Sequence, residues 1–305
     1  MKLVSRVEIA KPEVTYNLHV EDNHNYYAND VLVSNCHGAK ASVLKDIITS
    51  SAKNIPHRFG LTGTLPKDKC DQMTIRTLLG KVRTEVNAKE LMDLGHLATI
   101  DITMYKMIEN LETPYQNYVD SPKLPGQVVD SYKDFKATYF PDYKSESTFV
   151  YKNKLRMQKI ADIIQQKSMN GNVFVLVNDV TFGKAISKLI EGSIFLYGKN
   201  GVEERDSVYA QFQDRDDLIV FANAQIASTG LSIDRIHELF LVDMGKSFIK
   251  IIQSIGRGLR TATDKTHVNV TDIGSDLKYG NKHALDRAKH YREAEYPFVK
   301  KTIEY

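Results

Sequence analysis

The chain has 305 residues and only two cysteines, Cys36 and Cys70. That is far too few for a disulfide framework. A reducing compartment fits this usage, and a thiol acting as a nucleophile requires one. No apolar run reaches the roughly 20 residues that cross a bilayer, and no apolar signal core is found. A soluble protein of the cytoplasm, with no membrane partner, is expected. Neither sign of charge is in excess: 41 Lys and Arg face 38 Asp and Glu, for a formal charge of +3. Net charge therefore does not argue for nucleic-acid binding, which would need a local patch. Internal repeats and low-complexity runs are absent. No metal-ligating residue is expected.

What is present suits a globular chain of about two domains, with an apolar fraction of 42%. Residues 1–35 read as short strands between polar turns, with Val14–Val20 and Val31-Leu32-Val33 as strands. Thirty-five residues cannot bury a stable core alone, so this segment needs a partner. Val43, Leu44, Ile47 and Ile48 recur at helical spacing. Arg58 to Thr64 reads as a strand ending in a polar loop. Val86 to Leu94 reads as a helix stopped by Gly95, and Ile100 to Met104 as an edge strand. Residues 110–147 hold Pro114, Pro122, Pro125 and Pro141, half of the eight prolines, and many tyrosines. They read as an insertion or linker, its tyrosines packing on the domain surface in preference to stacking on bases. From Tyr151 onward, helices (154–168, 181–191, 202–213, 247–255) alternate with apolar strands (173–177, 194–197, 218–221, 239–242, 268–270). Continuous apolar strands between amphipathic helices predict a parallel sheet covered on both faces.

Two constellations carry chemistry. The first is His24-Asn25-Tyr26-Tyr27-Ala28-Asn29-Asp30-Val31-Leu32-Val33-Ser34-Asn35, followed by Cys36. An Asn side-chain amide can attack its own backbone carbonyl, form a succinimide and free the next residue's amine. A cysteine just after that bond can first capture an upstream acyl group as a thioester. His24, titrating near neutrality, is suited to polarise the carbonyl or move protons. The string resembles the C-terminal block of an intein. Met1 lies 35 residues before the junction, so the resemblance is to the C-terminal half of a split intein. It implies Asn35 as the cyclising residue, Cys36 as the first extein residue and His24 as the assistant. Asn17 stands where many inteins have Asp, and Ser34 where many have His. Residues 1–35 carry three basic and five acidic side chains, which leaves the charge polarity of pairing open.

The second lies downstream. Leu61-Thr62-Gly63-Thr64, Gly198…Arg205…Phe212, Ala227-Ser228-Thr229-Gly230-Leu231-Ser232 and Gln253-Ser254-Ile255-Gly256-Arg257-Gly258-Leu259-Arg260 occur in that order. Positions 253, 256, 257 and 260 share one helical face. That face carries an amide, two guanidiniums and a glycine that permits close approach. Arg forks suit phosphate oxygens and can stabilise charge developing on a γ-phosphate. The set resembles the motifs of superfamily 2 helicases of the phage recombination type, over Cys36 to about Leu277. Cys36-His37 looks like the second half of the Asp-Glu-x-His box. The Asp-Glu half, which would hold Mg²⁺ and orient the attacking water, is absent. So is the phosphate-cradling loop, because Gly198-Lys199-Asn200-Gly201 lacks its spacing and hydroxyl. The chain alone is therefore not expected to hydrolyse ATP.

The resemblances together imply an α/β fold: RecA-like parallel sheet lobes with flanking helices, preceded by a short all-β intein (Hint-type) fragment. The expected divisions are a C-intein (1–35), the end of a first RecA-like lobe (36–108), an insertion or linker (109–150), a second lobe (151–275) and a charged helical tail (276–305). His37, Arg257 and Arg260 are implied in ATP hydrolysis, and Gln253, Gly256 and Gly230 in holding ATP. Thr62, Thr64, Asn178, Thr181 and Thr229 are implied to contact nucleic acid. ATP and Mg²⁺ are implied only after joining to an N-terminal helicase fragment that carries the N-intein; DNA, branched forms included, is the implied substrate. The tail's lysines and arginines read as a solvated helix more readily than as a phosphate grip. Competing readings are an unspliced lobe acting as a non-catalytic DNA-binding or regulatory module, and a junction that only cleaves.

Overall fold

The computed structural model describes residues 25–28, 31–35, 46, 48–50, 58–61, 68–82, 88–120, 132–224, 233, 235–245 and 265–305. The chain divides into two compact units, Met1–Glu85 and Val86–Tyr305.

In the first unit, β1 (Asn25–Ala28) and β2 (Val31–Asn35) pair antiparallel, Ala28 opposite Val31. Strand β3 (Arg58–Leu61) lies parallel to β2, with Leu32 opposite Arg58 and Asn35 opposite Leu61. Helix α1 (Lys69–Leu79) follows, its N-terminus capped by the Asp68 carboxylate, which accepts from the Asp71 amide at 3.0 Å. The cap satisfies one of the amides that a first turn leaves without a partner. The strand expected at Val14–Val20 lies outside the described residues.

The second unit opens with α2 (Ala88–Asp93). The chain leaves it through Gly95 at φ +73°, the left-handed geometry glycine adopts at a helix end. Strand β4 (Thr99–Met107) is followed by α3 (Glu112–Asp120), α4 (Tyr132–Tyr139), α5 (Tyr143–Lys152) and α6 (Lys154–Lys167). Then come β5 (Val173–Val177), α7 (Val180–Ser187), β6 (Ile194–Leu196), α8 (Val202–Asp214), β7 (Ile219–Asn223) and β8 (Glu238–Val242). Strand β9 (His267–Ser275), α9 (Lys278–Glu293) and β10 (Phe298–Ile303) follow.

The seven strands run β10-β4-β9-β8-β5-β7-β6, and every neighbouring pair is parallel. Such a sheet must hide both faces, and all five side chains of β5 are buried. On one face Phe174, Leu176, Leu239 and Leu241 pack with Phe212 of α8 and Ala288 and Tyr291 of α9. On the other, Val173, Val175, Val177, Phe240 and Val242 pack with Ile160 and Ile164 of α6 and Phe182 and Ile186 of α7.

Several local expectations are corrected. Ile100–Met104 is not an edge: β4 runs on to Met107 between β9 and β10, so a stretch assigned to a separate first lobe lies in the sheet of the second unit. The tail is not only helical, since Phe298–Ile303 forms the strand that covers β4. Nor is it a solvated basic face throughout: Arg287 is 1% exposed. Helix α7 stops at Ser187, short of the expected 191, because the chain tightens there: Leu189 donates to the Ile186 carbonyl and Ile190 to that of Ser187. The described parts of 109–150 fold into helices whose Tyr115, Tyr118 and Tyr139 rings lie 5.2–5.3 Å from the buried Phe135 ring. The helix expected at 247–255 lies outside the described residues. No helix among the described residues is long and apolar enough to cross a membrane.

Candidate nucleotide and nucleic-acid site

Because the sheet of the second unit is wholly parallel, its strands deliver their following residues to one edge, where open α/β sheets hold their ligands. After β5 come Asn178 and Asp179. Strand β7 ends in Asn223, β8 is followed by Asp243, and two residues past β4 lies Glu109. The Asn223 amide donates to the Asn178 carbonyl at 2.8 Å, and the Asn178 amide donates to the Asp243 carbonyl at 3.1 Å. Asn178 remains exposed. The Asp179 carboxylate caps α7, accepting from the Phe182 amide at 2.7 Å. Thr181 stands exposed in the first turn of that helix, where a hydroxyl and the helix dipole both favour an anion.

Behind this rim lies a buried ion network. Arg156, 0% exposed, grips Asp243 with two 2.7 Å bonds and Glu109 with one of 2.9 Å. The Tyr305 hydroxyl donates a short bond to the other Glu109 oxygen. Burial pushes the Glu109 carboxyl above its ordinary value, opposed chiefly by the Arg156 charge. For Arg156, burial disfavours the charge, yet the carboxylates of Asp243 and Glu109 outweigh it and raise its pKa. Asp243 itself adopts φ 48°, a left-handed conformation that Asp tolerates better than most residues. On the opposite face of the sheet Arg287 pairs with Asp272 at 2.8 Å and donates to the Met244 carbonyl. The Tyr291 hydroxyl donates to Asp272 at 2.8 Å.

In the first unit the relevant geometry is register. Strands β2 and β3 are parallel, with Asn35 opposite Leu61, so they end side by side, one immediately before Cys36 and the other immediately before Thr62. Asn35 is described by its backbone. His24, Cys36, His37, Thr62, Thr64, Thr229, Gly230, Gln253, Gly256, Arg257 and Arg260 lie outside the described residues. Of the expected site residues, Asn178 and Thr181 are the two seen together at the sheet edge. Asp179, Asn223, Asp243, Glu109 and Arg156 were not singled out from sequence. Asp179 was findable, being an acidic residue between an apolar strand and a helix.

Residues 155–262 match the helicase conserved C-terminal domain family. The chain is similar to the ATP-dependent DNA helicase uvsW of enterobacteria phage T4, at 27% identity over 290 residues, covering 88% of this chain and 53% of that protein. The crystal structure of T4 UvsW aligns with a TM-score of 0.50 and 21% identity, over 89% of this chain and 53% of that one. Dbp5 of S. cerevisiae, in a structure bound to RNA and ADP BeF3, aligns with a TM-score of 0.52 and 12% identity, over 90% of this chain and 59% of that one. The chain thus spans about half the length of these relatives. The fold is α/β, a RecA-like parallel sheet with flanking helices.

Proposed function

We propose that residues 36–305 are the rear part of an ATP-driven DNA helicase of the UvsW type, and that residues 1–35 are a C-intein that joins them to the missing front part. The observation that carries this reading is the half box. Cys36-His37-Gly38-Ala39-Lys40-Ala41 has the second half of a helicase Asp-Glu-x-His motif, with Ser34-Asn35 where Asp-Glu belongs. The strand before it, β2, runs parallel to the strand that leads into Leu61-Thr62-Gly63-Thr64. The similarity to a relative named as an ATP-dependent DNA helicase supports ATP and DNA as ligands.

The chemistry divides between the two segments. Cys36 takes an acyl group from an N-terminal helicase fragment carrying the N-intein, displacing that fragment's thiol. Asn35 then cyclises and frees the Cys36 amine, and an S-to-N acyl shift closes the peptide bond, with His24 assisting at the scissile carbonyl. The product regains Asp-Glu-Cys-His. In it, Arg257 and Arg260 would serve ATP hydrolysis, Gln253, Gly256 and Gly230 would hold the nucleotide, and His37 would couple hydrolysis to Thr62 and Thr64. The acidic pair that ligation supplies would hold Mg²⁺, which would neutralise phosphate charge. Asn178, Thr181 and Thr229 meet the DNA phosphates, as hydroxyls, amides and a helix N-terminus do in backbone recognition. The work is strand separation or branch migration of recombination and replication intermediates.

The test is to mix the chain with an N-terminal fragment that ends in its intein half and to weigh the products by mass spectrometry. A ligated helicase and a released 35-residue peptide ending in succinimide are expected, together with DNA-stimulated ATP hydrolysis that neither half shows. Asn35→Ala should abolish peptide release, and Cys36→Ala should abolish ligation. Peptide release without ligation would reduce the junction to a cleavage site. DNA binding with neither reaction would favour a non-catalytic DNA-binding or regulatory lobe. ATP hydrolysis by the chain alone would refute the reading.

A further inference from the structure

Three tyrosines in the helices after β4 keep much of their rings in water. Tyr132 is 46% exposed, Tyr139 42% and Tyr143 40%. The interior of this cluster is already filled by the buried Phe135 and Phe140. The rings of Tyr132 and Tyr139 lean on Phe135 at 5.7 and 5.2 Å. Tyr143 meets His283 and Tyr279 of α9 at 5.2 and 6.2 Å. Each ring is thus held by an aromatic neighbour while a large part of it faces solvent. Lysines interleave with the rings. Lys133 and Lys144 are exposed, and the Lys136 ammonium lies 4.7 Å from the centre of the Tyr132 ring. The carboxylates of Asp142 and Glu146 are engaged instead in capping. Asp142 accepts from the Ser145 amide at 2.8 Å, and Glu146 accepts from the Tyr279 and Gly280 amides.

These helices stand at the sheet edge that carries Asn178 and Thr181. At their start, the Glu109 amide donates to Asp276, just past β9, at 3.0 Å. Near their end, Tyr151 of α5 stacks at 4.6 Å on Phe182, the residue after Thr181. Flat rings fixed among cations suit one class of partner. Every nucleobase has a π face that can stack on an aromatic side chain, and lysines attract the phosphates between bases. A duplex keeps its base faces covered, so an unpaired strand fits. Rings already held in place leave little ordering to oppose binding. We propose that Tyr132, Tyr139 and Tyr143, with Lys133, Lys136 and Lys144, form a stacking surface for single-stranded DNA beside Asn178 and Thr181. This deepens the helicase reading and rests on it for the source of the strand, since unwinding supplies unpaired bases.

The test titrates the full, unligated chain against fluorescein-labelled oligothymidylate, read by fluorescence anisotropy. Alanine would loosen the cluster, so each tyrosine is replaced by leucine, which keeps apolar bulk, and by phenylalanine, which keeps the ring. Tyr132→Leu, Tyr139→Leu and Tyr143→Leu should each weaken binding about five- to a hundredfold, and the phenylalanine variants by less than about twofold. Lys133→Ala and Lys144→Ala should flatten the salt dependence of binding, whereas the leucine variants should leave its slope unchanged. Unchanged affinity in the leucine variants, or no binding by the wild type at low salt, would overturn the surface. Equal affinity for a blunt duplex would overturn the single-strand assignment. Tighter binding of polyglutamate, weakened by the same leucine changes, would overturn it in favour of an acidic protein. If the ligated wild type fails to hydrolyse ATP, the helicase reading fails, while the oligonucleotide titration still decides the surface.

Discussion

Asn172 offers a measurement of what holds the second unit together. It is 0% exposed, one residue before β5. Its amide nitrogen faces the carbonyls of Phe212, Arg215 and Arg235 at 3.3, 2.6 and 3.2 Å, and its oxygen accepts from the Leu218 amide at 3.0 Å. One side chain thus joins the end of α8, the start of β7 and the approach to β8. An amide has two N–H donors, so about two of the three carbonyls are satisfied at once. Alanine removes roughly three net hydrogen bonds at about 1 kcal/mol each and leaves buried backbone groups unpaired, for a cost of about 3–5 kcal/mol. The chain has no tryptophan, so urea unfolding is best followed by far-ultraviolet circular dichroism. With a slope of a few kcal/mol per molar, the midpoint should fall by about 1–2 M at unchanged slope. Asn172→Asp separates hydrogen bonding from packing. It fills the same volume and keeps the acceptor, but turns both donors into an ionised oxygen facing three carbonyls. It should therefore be at least as damaging as alanine. A loss under about 1 kcal/mol for alanine, or a milder effect for aspartate, would refute the reasoning.

Gly183 lies in α7 where an added Cβ would sit 2.5 Å from Val177 Cγ2 and 2.6 Å from Phe195 Cε2. Gly183→Ala gains about 1 kcal/mol of helix propensity but overpacks at about 1–3 kcal/mol, so thermal denaturation should show a net loss. Glu146 accepts from the Tyr279 and Gly280 amides at the start of α9, and burial pushes its pKa above the ordinary 4.5. Its contribution is therefore fully present below that value and lost as pH rises through the raised one. As pH rises above 4.5 the wild type should lose more stability than Glu146→Gln does, as read from midpoints at each pH; equal losses would refute the assignment.

The parts of this architecture that were legible are those written in short windows. Val173-Phe174-Val175-Leu176-Val177 reads as a strand buried on both faces, and it is one. Asn178 and Thr181 were named from the helicase resemblance, as residues that follow this strand. Strand β4 was misread because its burial alternates, the pattern of a half-covered edge. Its second neighbour is Phe298-Val299-Lys300-Lys301-Thr302-Ile303, a stretch too polar to announce itself as a strand. The ion network was invisible for a related reason. Arg156 meets Glu109 across 47 positions and Asp243 across 87, and no local periodicity encodes such a pairing. Arg287 looked like one more cation on a charged helix, because its partner Asp272 lies in a different element.

The placing of β4 between β9 and β10 has a consequence for how the molecule comes into being. Both neighbours of β4 are synthesised more than 150 residues after it, whereas β5, β6 and β7 meet within a span of about 50. Non-local pairing is slow because distant loops must close before any contact rewards them. On the ribosome β5, β6 and β7 and their helices can assemble first, while the backbone of Thr99–Met107 waits with unsatisfied hydrogen-bonding edges, the condition that invites aggregation. Translation halted before Phe298 would leave that flank uncovered, so β10 acts as the seal on a strand made long before it.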